Sequence, residues 1–378
     1  MKKFLVIAVL LVFFTGSAYA AAEWNFYGSA RVSTFYSNLD NSPFAGGADT
    51  SNYEQNLNGN ARIGAKVKVS DELTGEFQYG ALGGNANVRI LWGEWNFGAG
   101  SLGVGQNYTP LLFPYSNQVY NLDAFNKGDH NMSTFGMLYG SRKAMIRLKF
   151  GGFQIAAVQP KLLVSAFSMA PLAQPATEVK IPSIQAKYKY DFSNGHVAVA
   201  GGYQTFDVNG TEDYSVTSYI LGVGGRLNLG GFYFKGNIWG GQNVGNMADV
   251  LVSGSLWSTL GNAGTGTFDG DAMGLARYSD GSIPGTTEGI TDRDALATLI
   301  VAGYTIRKGL YLEAGYGYIK TELDQAGSIK DDVSTYYLQS TIFLAPGVFL
   351  TPEIGRINGE QKDQVDITYF GIKWQVNF

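Results

Sequence analysis

From Trp24 onward, apolar and polar positions repeatedly alternate residue by residue. The clearest run closes the chain: Thr368, Phe370, Ile372, Trp374, Val376 and Phe378 alternate with Tyr369, Gly371, Lys373, Gln375 and Asn377. A strand sends successive side chains to opposite faces, so this run carries one apolar face, with aromatic rings toward its end, and one largely polar face. Such a strand suits a wall between lipid and water.

The same alternation marks strands over Trp24 to Ser33, Leu57 to Val69, Leu73 to Ala81, Val88 to Phe97, Ser101 to Gln106, Lys143 to Phe150, Phe153 to Val158 and Ile184 to Asp191. It continues over Val197 to Phe206, Tyr214 to Leu227, Phe232 to Gln242, Asp294 to Ile306, Leu310 to Ile319, Val333 to Leu344 and Val348 to Ile357. With Asp366 to Phe378 this makes sixteen strands. Short links rich in Gly, such as Gly98-Ala99-Gly100, Gly151-Gly152 and Ala345-Pro346-Gly347, read as tight hairpin turns and alternate with longer segments. An even-numbered transmembrane antiparallel β-barrel has this rhythm, with short periplasmic turns and long external loops. A soluble β-sandwich or adhesin would alternate within its strands too, yet would have no reason to keep every second connection short.

The amino terminus fixes a destination for such a wall. Lys2 and Lys3, the apolar run Phe4 to Phe14 and the small-residue site Ala18-Tyr19-Ala20 make residues 1–20 a secretory signal peptide, with residues 21–378 as a single barrel domain. The apolar run is too short to span a bilayer comfortably, and no second long one exists. Without its two leading lysines the chain holds 25 basic and 31 acidic residues, which does not suggest a nucleic-acid binder. The chain has 51 Gly, 23 Tyr and 23 Phe, only 15% charged residues and no cysteine, so disulfides and cysteine metal sites are excluded. Its mean hydropathy of −0.04 fits a wall that alternates between lipid and water.

A sixteen-stranded barrel leaves a water-filled lumen unless something folds into it. Asn107 to Met137, between the fifth and sixth strands, is long enough to do so. Here the chain resembles the general (non-specific) porins of Gram-negative outer membranes. The likeness is strongest at Trp95 through Gly105-Gln106-Asn107-Tyr108, at Phe135-Gly136 and at the terminal Phe378. The resemblance implies a homotrimer of barrels in outer-membrane lipid and lipopolysaccharide, with the third loop folded inward to narrow the pore. It also implies that Phe378 is part of the signal read by the barrel-assembly machinery. Family members often carry an arginine where this chain has Gln106 and a glutamate where it has Thr134, so the usual constriction charges are replaced here. The expected constriction residues are Asp123, Asp129, His130 and Thr134, facing a basic wall of Arg31, Arg62, Lys66, Arg147 and Lys149. Opposed charges across a narrow passage would orient dipolar solutes and bias ion flow.

Small residues at expected lipid-facing positions of the first strands, Gly28, Ala30, Gly59, Ala61, Ala65 and Gly75, suggest a flat patch for packing barrels together. Other chemistry is sparse. His130 and His196 lie on different connections without clustered metal ligands, and Asp129, His130 and Ser133 are too close in sequence to suggest a hydrolase triad. The sixth loop, Asn243 to Arg293, contains Asp269-Gly270-Asp271, Gly274 and Asp280, a poor match to a calcium loop because Met273 falls at a ligand position. The sequence therefore points to a non-enzymatic outer-membrane porin without a cofactor, passing small hydrophilic solutes and ions passively. The alternative is a substrate-specific channel in which Phe113, Tyr115, Tyr120 and Phe125 form an aromatic track. A plugged adhesive barrel is a third reading, since the sixth loop is long enough to plug it.

Overall fold

The computed structural model describes residues 22–40, 49–120, 131–167, 175–250, 274–283, 285–328, 330–360 and 366–378. The alternating segments form one antiparallel sheet closed on itself. In chain order the strands are β1 (Glu23–Asp40), β2 (Thr50–Leu57, resumed as Arg62–Lys68), β3 (Leu73–Gly80), β4 (Asn87–Asn96), β5 (Ser101–Tyr108), β6 (Arg142–Phe150), β7 (Phe153–Val158) and β8 (Ser183–Phe192, preceded by Thr177–Val179). There follow β9 (Gly195–Asn209), β10 (Asp213–Leu229), β11 (Phe232–Gln242), β12 (Arg293–Arg307), β13 (Leu310–Leu323), β14 (Asp331–Ala345), β15 (Val348–Gly359) and β16 (Asp366–Asn377). The sheet's eighteen extended segments reduce to sixteen strands, because β2 and β8 each contribute two. Pairing of β1 with both β2 and β16 closes the barrel.

Seven tight connections lie at the rim where the termini meet. Gly98, Gly151, Gly230, Gly309 and Gly347 occupy these turns at positive φ, a conformation open to glycine at little cost. The outer face follows the alternation. Ile300 and Leu221 are each 62% exposed in a mid-wall belt, flanked by aromatic rings such as Trp95, Phe97 and Phe150 near the tight turns. Tyr36, Tyr53 and Phe370 form a ring cluster toward the opposite rim, with Tyr36 stacked on Phe370 at 5.3 Å. No described helix is long and apolar enough to cross a membrane; the strands do the crossing.

Several strands outrun their sequence signal. β1 continues to Asp40 and pairs there with Thr50–Leu57, a segment whose polar composition hides its extended conformation. β9 and β10 also lengthen, leaving 210–212 as a short turn where a longer external segment was expected. This hairpin packs its Phe206, Val208 and Val216 against Val164, Ala276 and Tyr278. Beside it lies a small separate sheet of Ser165–Phe167, Arg277–Asp280 and Glu288–Thr291, all within segments read as loops from sequence. Glu288 ties the two together, accepting the Thr211 backbone N–H at 2.8 Å and the Tyr278 hydroxyl at 2.8 Å.

Candidate functional site: the lumen and its third loop

The third long connection, L3 (residues 109–141), enters the lumen and lies along the inner wall of β9–β16. Its Leu111, Phe113, Phe135 and Leu138 are fully buried and join one core with Ile220, Trp239, Leu299, Val301 and Ile319 from the wall. Removing each large apolar side chain of this kind from water contributes roughly 1.5–3 kcal/mol. The wall explains why the loop stays down: the inner face here is apolar where a solvated lumen would be polar. Phe113, Tyr115 and Tyr120, expected as a possible aromatic track, instead pack L3 onto the wall. Phe113 stacks on Tyr115 at 5.7 Å, and Tyr120 stacks on Tyr369 at 3.9 Å. Burial pushes the Tyr115 phenol upward. Phe125 lies outside the described residues.

The Phe135-Gly136 pair is where loop and wall come closest. Gly136 has φ +111°, and a Cβ there would sit 2.2 Å from the Thr298 carbonyl oxygen. Across the contact, a Cβ on Gly317 would sit 1.9 Å from the Phe135 carbonyl oxygen. The Gly136 carbonyl accepts from Asn237 Nδ2 at 2.7 Å and from Trp239 Nε1 at 2.9 Å. Backbone can approach backbone this closely only where side chains are missing.

Two buried glutamates of the wall anchor the loop's middle. Glu313 on β13 accepts Asn117 N–H at 2.9 Å and Asn117 Nδ2 at 2.8 Å, together with Tyr337 at 2.6 Å and Lys235 Nζ at 2.9 Å. Glu353 on β15 accepts the backbone N–H groups of Val119 at 2.7 Å and Tyr120 at 2.9 Å. Charged acceptors make the stronger hydrogen bonds, and buried polar groups need such partners. No sequence signal picks out these two carboxylates from the others on lumen faces.

Opposite L3, the inner face of β2–β6 carries arginines. Arg89 is buried, donating from Nε to Gln78 Oε1 at 2.8 Å and from Nη2 to Tyr108 OH at 3.4 Å. Arg62 reaches the same Gln78 oxygen at 3.5 Å. Arg142 donates to Tyr108 at 3.3 Å and to Tyr139 at 3.2 Å. Burial pushes the Tyr139 phenol up to about 12, so it stays a neutral acceptor. Three guanidinium groups therefore gather around Gln78, Tyr108 and Tyr139, with Asp249 a carboxylate acting on Arg142. Strict alternation would set Arg89 with the outward Leu91 and Trp95, and Arg142 with the outward Ile146 and Phe150; the bulge opposite Gln78 and Tyr79, which skips Arg89, and the pairing of β3 with β4 and of β5 with β6 gather them instead.

The expected basic wall divides in two. Arg62 joins the cluster, and Arg31 bonds Ser29 at 2.8 Å nearby. Arg147, by contrast, lies 3.2 Å from Glu94 and over the Trp92 ring at 4.6 Å, while Lys149 lies 4.0 Å from the same carboxylate. Lys66 sits directly across from Glu76 in the β2–β3 ladder. Cross-strand pairing thus sets a carboxylate beside each of the three, which charge counting along the chain does not reveal. Gln106, the position of a frequent family arginine, donates to the Val88 carbonyl at 2.8 Å.

Of the expected constriction residues, Asp123, Asp129 and His130 lie outside the described residues, as do the signal peptide and Asp269 to Met273. Thr134 is half-buried in the described part of L3. The small-residue patch is not continuous. Ala30 is exposed, but Gly59 and Ala61 are buried in a turn that interrupts β2, where the Ala61 N–H bonds the Asn58 carbonyl at 2.8 Å. Ala65 is covered by its neighbours on β1 and β3, and Gly28 by the Phe378 ring, 2.3 Å from where a Cβ would stand. His196 meets L3 through Tyr115, with 3.0 Å between ring nitrogen and hydroxyl. Gly274 packs on Val244 and Val250, and Asp280 lies in the small sheet.

The sixth long connection, L6 (residues 243–292), also turns inward at its start. Its Asp249 N–H donates to the Tyr139 carbonyl at 2.9 Å, and its Asn246 and Gly245 carbonyls accept Lys143 at 3.1 Å and Lys161 at 3.0 Å.

The comparisons agree with this geometry. A family model described as Gram-negative porin matches residues 7–362. A search of curated proteins finds no match. Among solved structures, the outer membrane channel DcaP of Acinetobacter baumannii is similar at a TM-score of 0.65 and 14% identity, covering 97% of this chain and 99% of that one. The anion-selective porin from Comamonas acidovorans gives 0.56 at 12% identity over 94% and 99%. The trimer form of OmpT, an outer membrane protein of Vibrio cholerae, gives 0.54 at 16% identity over 95% and 100%. With its lumen narrowed by a docked loop, the barrel is an outer-membrane channel for passive diffusion of small solutes, and the chain belongs to the Gram-negative porin family.

Proposed function

We propose that solutes cross at a constriction between L3 and the Arg62–Arg89–Arg142 cluster, and that the channel prefers anions. The convergence of three guanidinium groups around Gln78, Tyr108 and Tyr139 carries this reading. Positive charge lining a narrow passage with low-dielectric walls raises the local concentration of anions. The solved porin from Comamonas acidovorans is described as anion-selective, which agrees. Asp123, Asp129, His130 and Thr134 contribute the loop side of the constriction, while Glu76 and Glu94 offset Lys66, Arg147 and Lys149 lower on the wall. The channel performs no catalysis and needs no cofactor.

In this reading the chain is exported by cleavage after Ala20, assembled through a signal that includes Phe378, and surrounded by outer-membrane lipid and lipopolysaccharide. It works as a homotrimer; the trimer form of a similarly folded Vibrio cholerae protein supports this, and Ala30 remains as an exposed small position on the contact face. The test is current through the purified protein in a planar bilayer separating unequal KCl concentrations. Stepwise open currents with a reversal potential of anion-preferring sign are expected. The opposite sign would assign control of the pore to the acids of the loop.

A further inference from the structure

Beneath L3, on the side of the lumen away from the arginine cluster, lies a cavity of ≈ 420 Å³ that the pore constriction does not use. Its size falls within the roughly 300–1,000 Å³ of small-molecule sites. It opens toward the tight-turn rim, with Asn117 of L3 as its roof and β10–β16 as its wall. Two kinds of side chain line it.

The first is a set of rings on inward positions. Tyr311, Phe343 and Phe349 touch in sequence, Tyr311 to Phe343 at 5.7 Å and Phe343 edge-on to Phe349 at 4.4 Å. Phe343 is 45% exposed. Lumen faces are polar because they meet water, so a ring cluster open to that water has the character of a binding surface. The second is cationic. Arg226, Lys235 and Lys373 line the cavity, and Glu313 is the one lining carboxylate among the described residues. Glu313 is already engaged by Lys235, Tyr233, Tyr337 and Asn117. Glu353, which acts on Lys373, is buried behind and bonded to the loop's backbone. Even with Glu353 counted, cations outnumber carboxylates among the described residues. Arg226 is held in place, with its Nε on Asn228 at 2.9 Å and its guanidinium over the Tyr233 ring at 5.3 Å. Gln339, 3% exposed and lining the cavity, keeps its Oε1 without a hydrogen-bond partner.

We propose that this chamber is a binding site for small aromatic carboxylates. The ring of the ligand lies on the Tyr311–Phe343–Phe349 cluster and its carboxylate faces Arg226 and Lys373. Stacking supplies selectivity for the ring, and the excess positive charge selects the anion. A solute held here dwells at the exit of the channel after passing L3, so the site adds ligand preference to a pore that otherwise sorts by size and charge.

The test is a saturation-transfer NMR titration of the folded, detergent-solubilised full chain at fixed ionic strength, a measurement that needs no current. Sodium benzoate, sodium acetate and benzyl alcohol are the probes. Benzoate is expected to bind at least about fivefold more tightly than either control, since the ring and the charge each contribute. Phe343→Ala should remove the advantage of benzoate over acetate, and Lys373→Gln should weaken both anions. Should Lys373→Gln not fold, Arg226→Gln makes the same test from an exposed position. Equal binding of benzoate and acetate to the wild-type chain, or no saturation transfer to benzoate at all, overturns the proposal. So does loss of benzoate binding in Arg89→Gln but not in Lys373→Gln, which would move the anion to the arginine cluster.

Discussion

Asn117 and Glu313, separated by 196 residues in the chain, meet through two hydrogen bonds: backbone N–H to Oε1 at 2.9 Å and Nδ2 to Oε2 at 2.8 Å. One carboxylate thus clamps both the backbone and the side chain of a loop residue while it also holds Lys235. The position of L3, and hence the width of the pore, hangs on a wall residue from the far end of the sequence.

Removing the clamp from either side should have unequal effects. Asn117→Ala leaves Glu313 with its other partners and should cost about 1–3 kcal/mol. Glu313→Ala strands the Lys235 ammonium, whose side chain is 7% exposed, and should cost about 3–5 kcal/mol. Urea unfolding from lipid vesicles measures both, and open-channel current noise should rise in each variant as L3 loosens. Equal losses would show that Lys235 does not depend on Glu313.

Charge at the constriction should be readable one arginine at a time. Arg89→Gln and Arg142→Gln keep much of the side-chain volume and remove the guanidinium. Each should lower the anion-to-cation permeability ratio by a factor of about 3–10 in dilute salt, less as screening increases. Arg147→Gln, which loses a charge already opposed by Glu94, should move the KCl reversal potential less.

Close approach at Gly317 makes a sharper prediction. A Cβ would meet the Phe135 carbonyl oxygen at 1.9 Å, and neither backbone can yield without lifting the loop. Gly317→Val should destabilise the barrel by about 1–3 kcal/mol and change single-channel conductance. Gly93→Ala, where nothing lies within 4 Å of the added atom, is the control expected to leave conductance as it is.

Gly28 and Phe378 should act as one unit. The Phe378 ring rests on Gly28 and the two residues exchange backbone hydrogen bonds at 2.6 and 3.1 Å. Gly28→Leu should displace the ring and reduce the yield of heat-resistant barrels on gels. Combined with Phe378→Ala, it should cost less than the sum of the two single changes, because both remove the same contact. Strict additivity would disprove the coupling.

The strands were legible because their signal is local. A period of two, interrupted by Gly-rich turns, shows in ten residues, and β3 through β7 and β11 through β16 fall close to where alternation places them. Extended segments above the membrane were not, since Thr50–Leu57 carries only Tyr53 and Leu57 among polar residues and Asp207–Asn209 only Val208, too few apolar positions to show a period. The aromatics of L3 were visible as residues but not as packing: Phe113 and Tyr120 read equally well as a track or as a core until the apolar inner wall of β9–β16 is known.

By itself, then, the sequence determined a sixteen-stranded wall, its lipid face, its tight rim and the loop long enough to enter the lumen, all properties carried by neighbours in the chain. Only the closed barrel decided which charges oppose one another. Strand pairing sets Glu76 across from Lys66 and Glu94 beside Arg147 and gathers Arg62, Arg89 and Arg142 around Gln78 and Tyr108, and closure of the wall around the loop brings Glu313 and Glu353 under L3. Electrostatic and hydrogen-bond partners act over a few ångströms of space, and in a barrel those ångströms are set by strand register and by the curvature that returns β16 to β1.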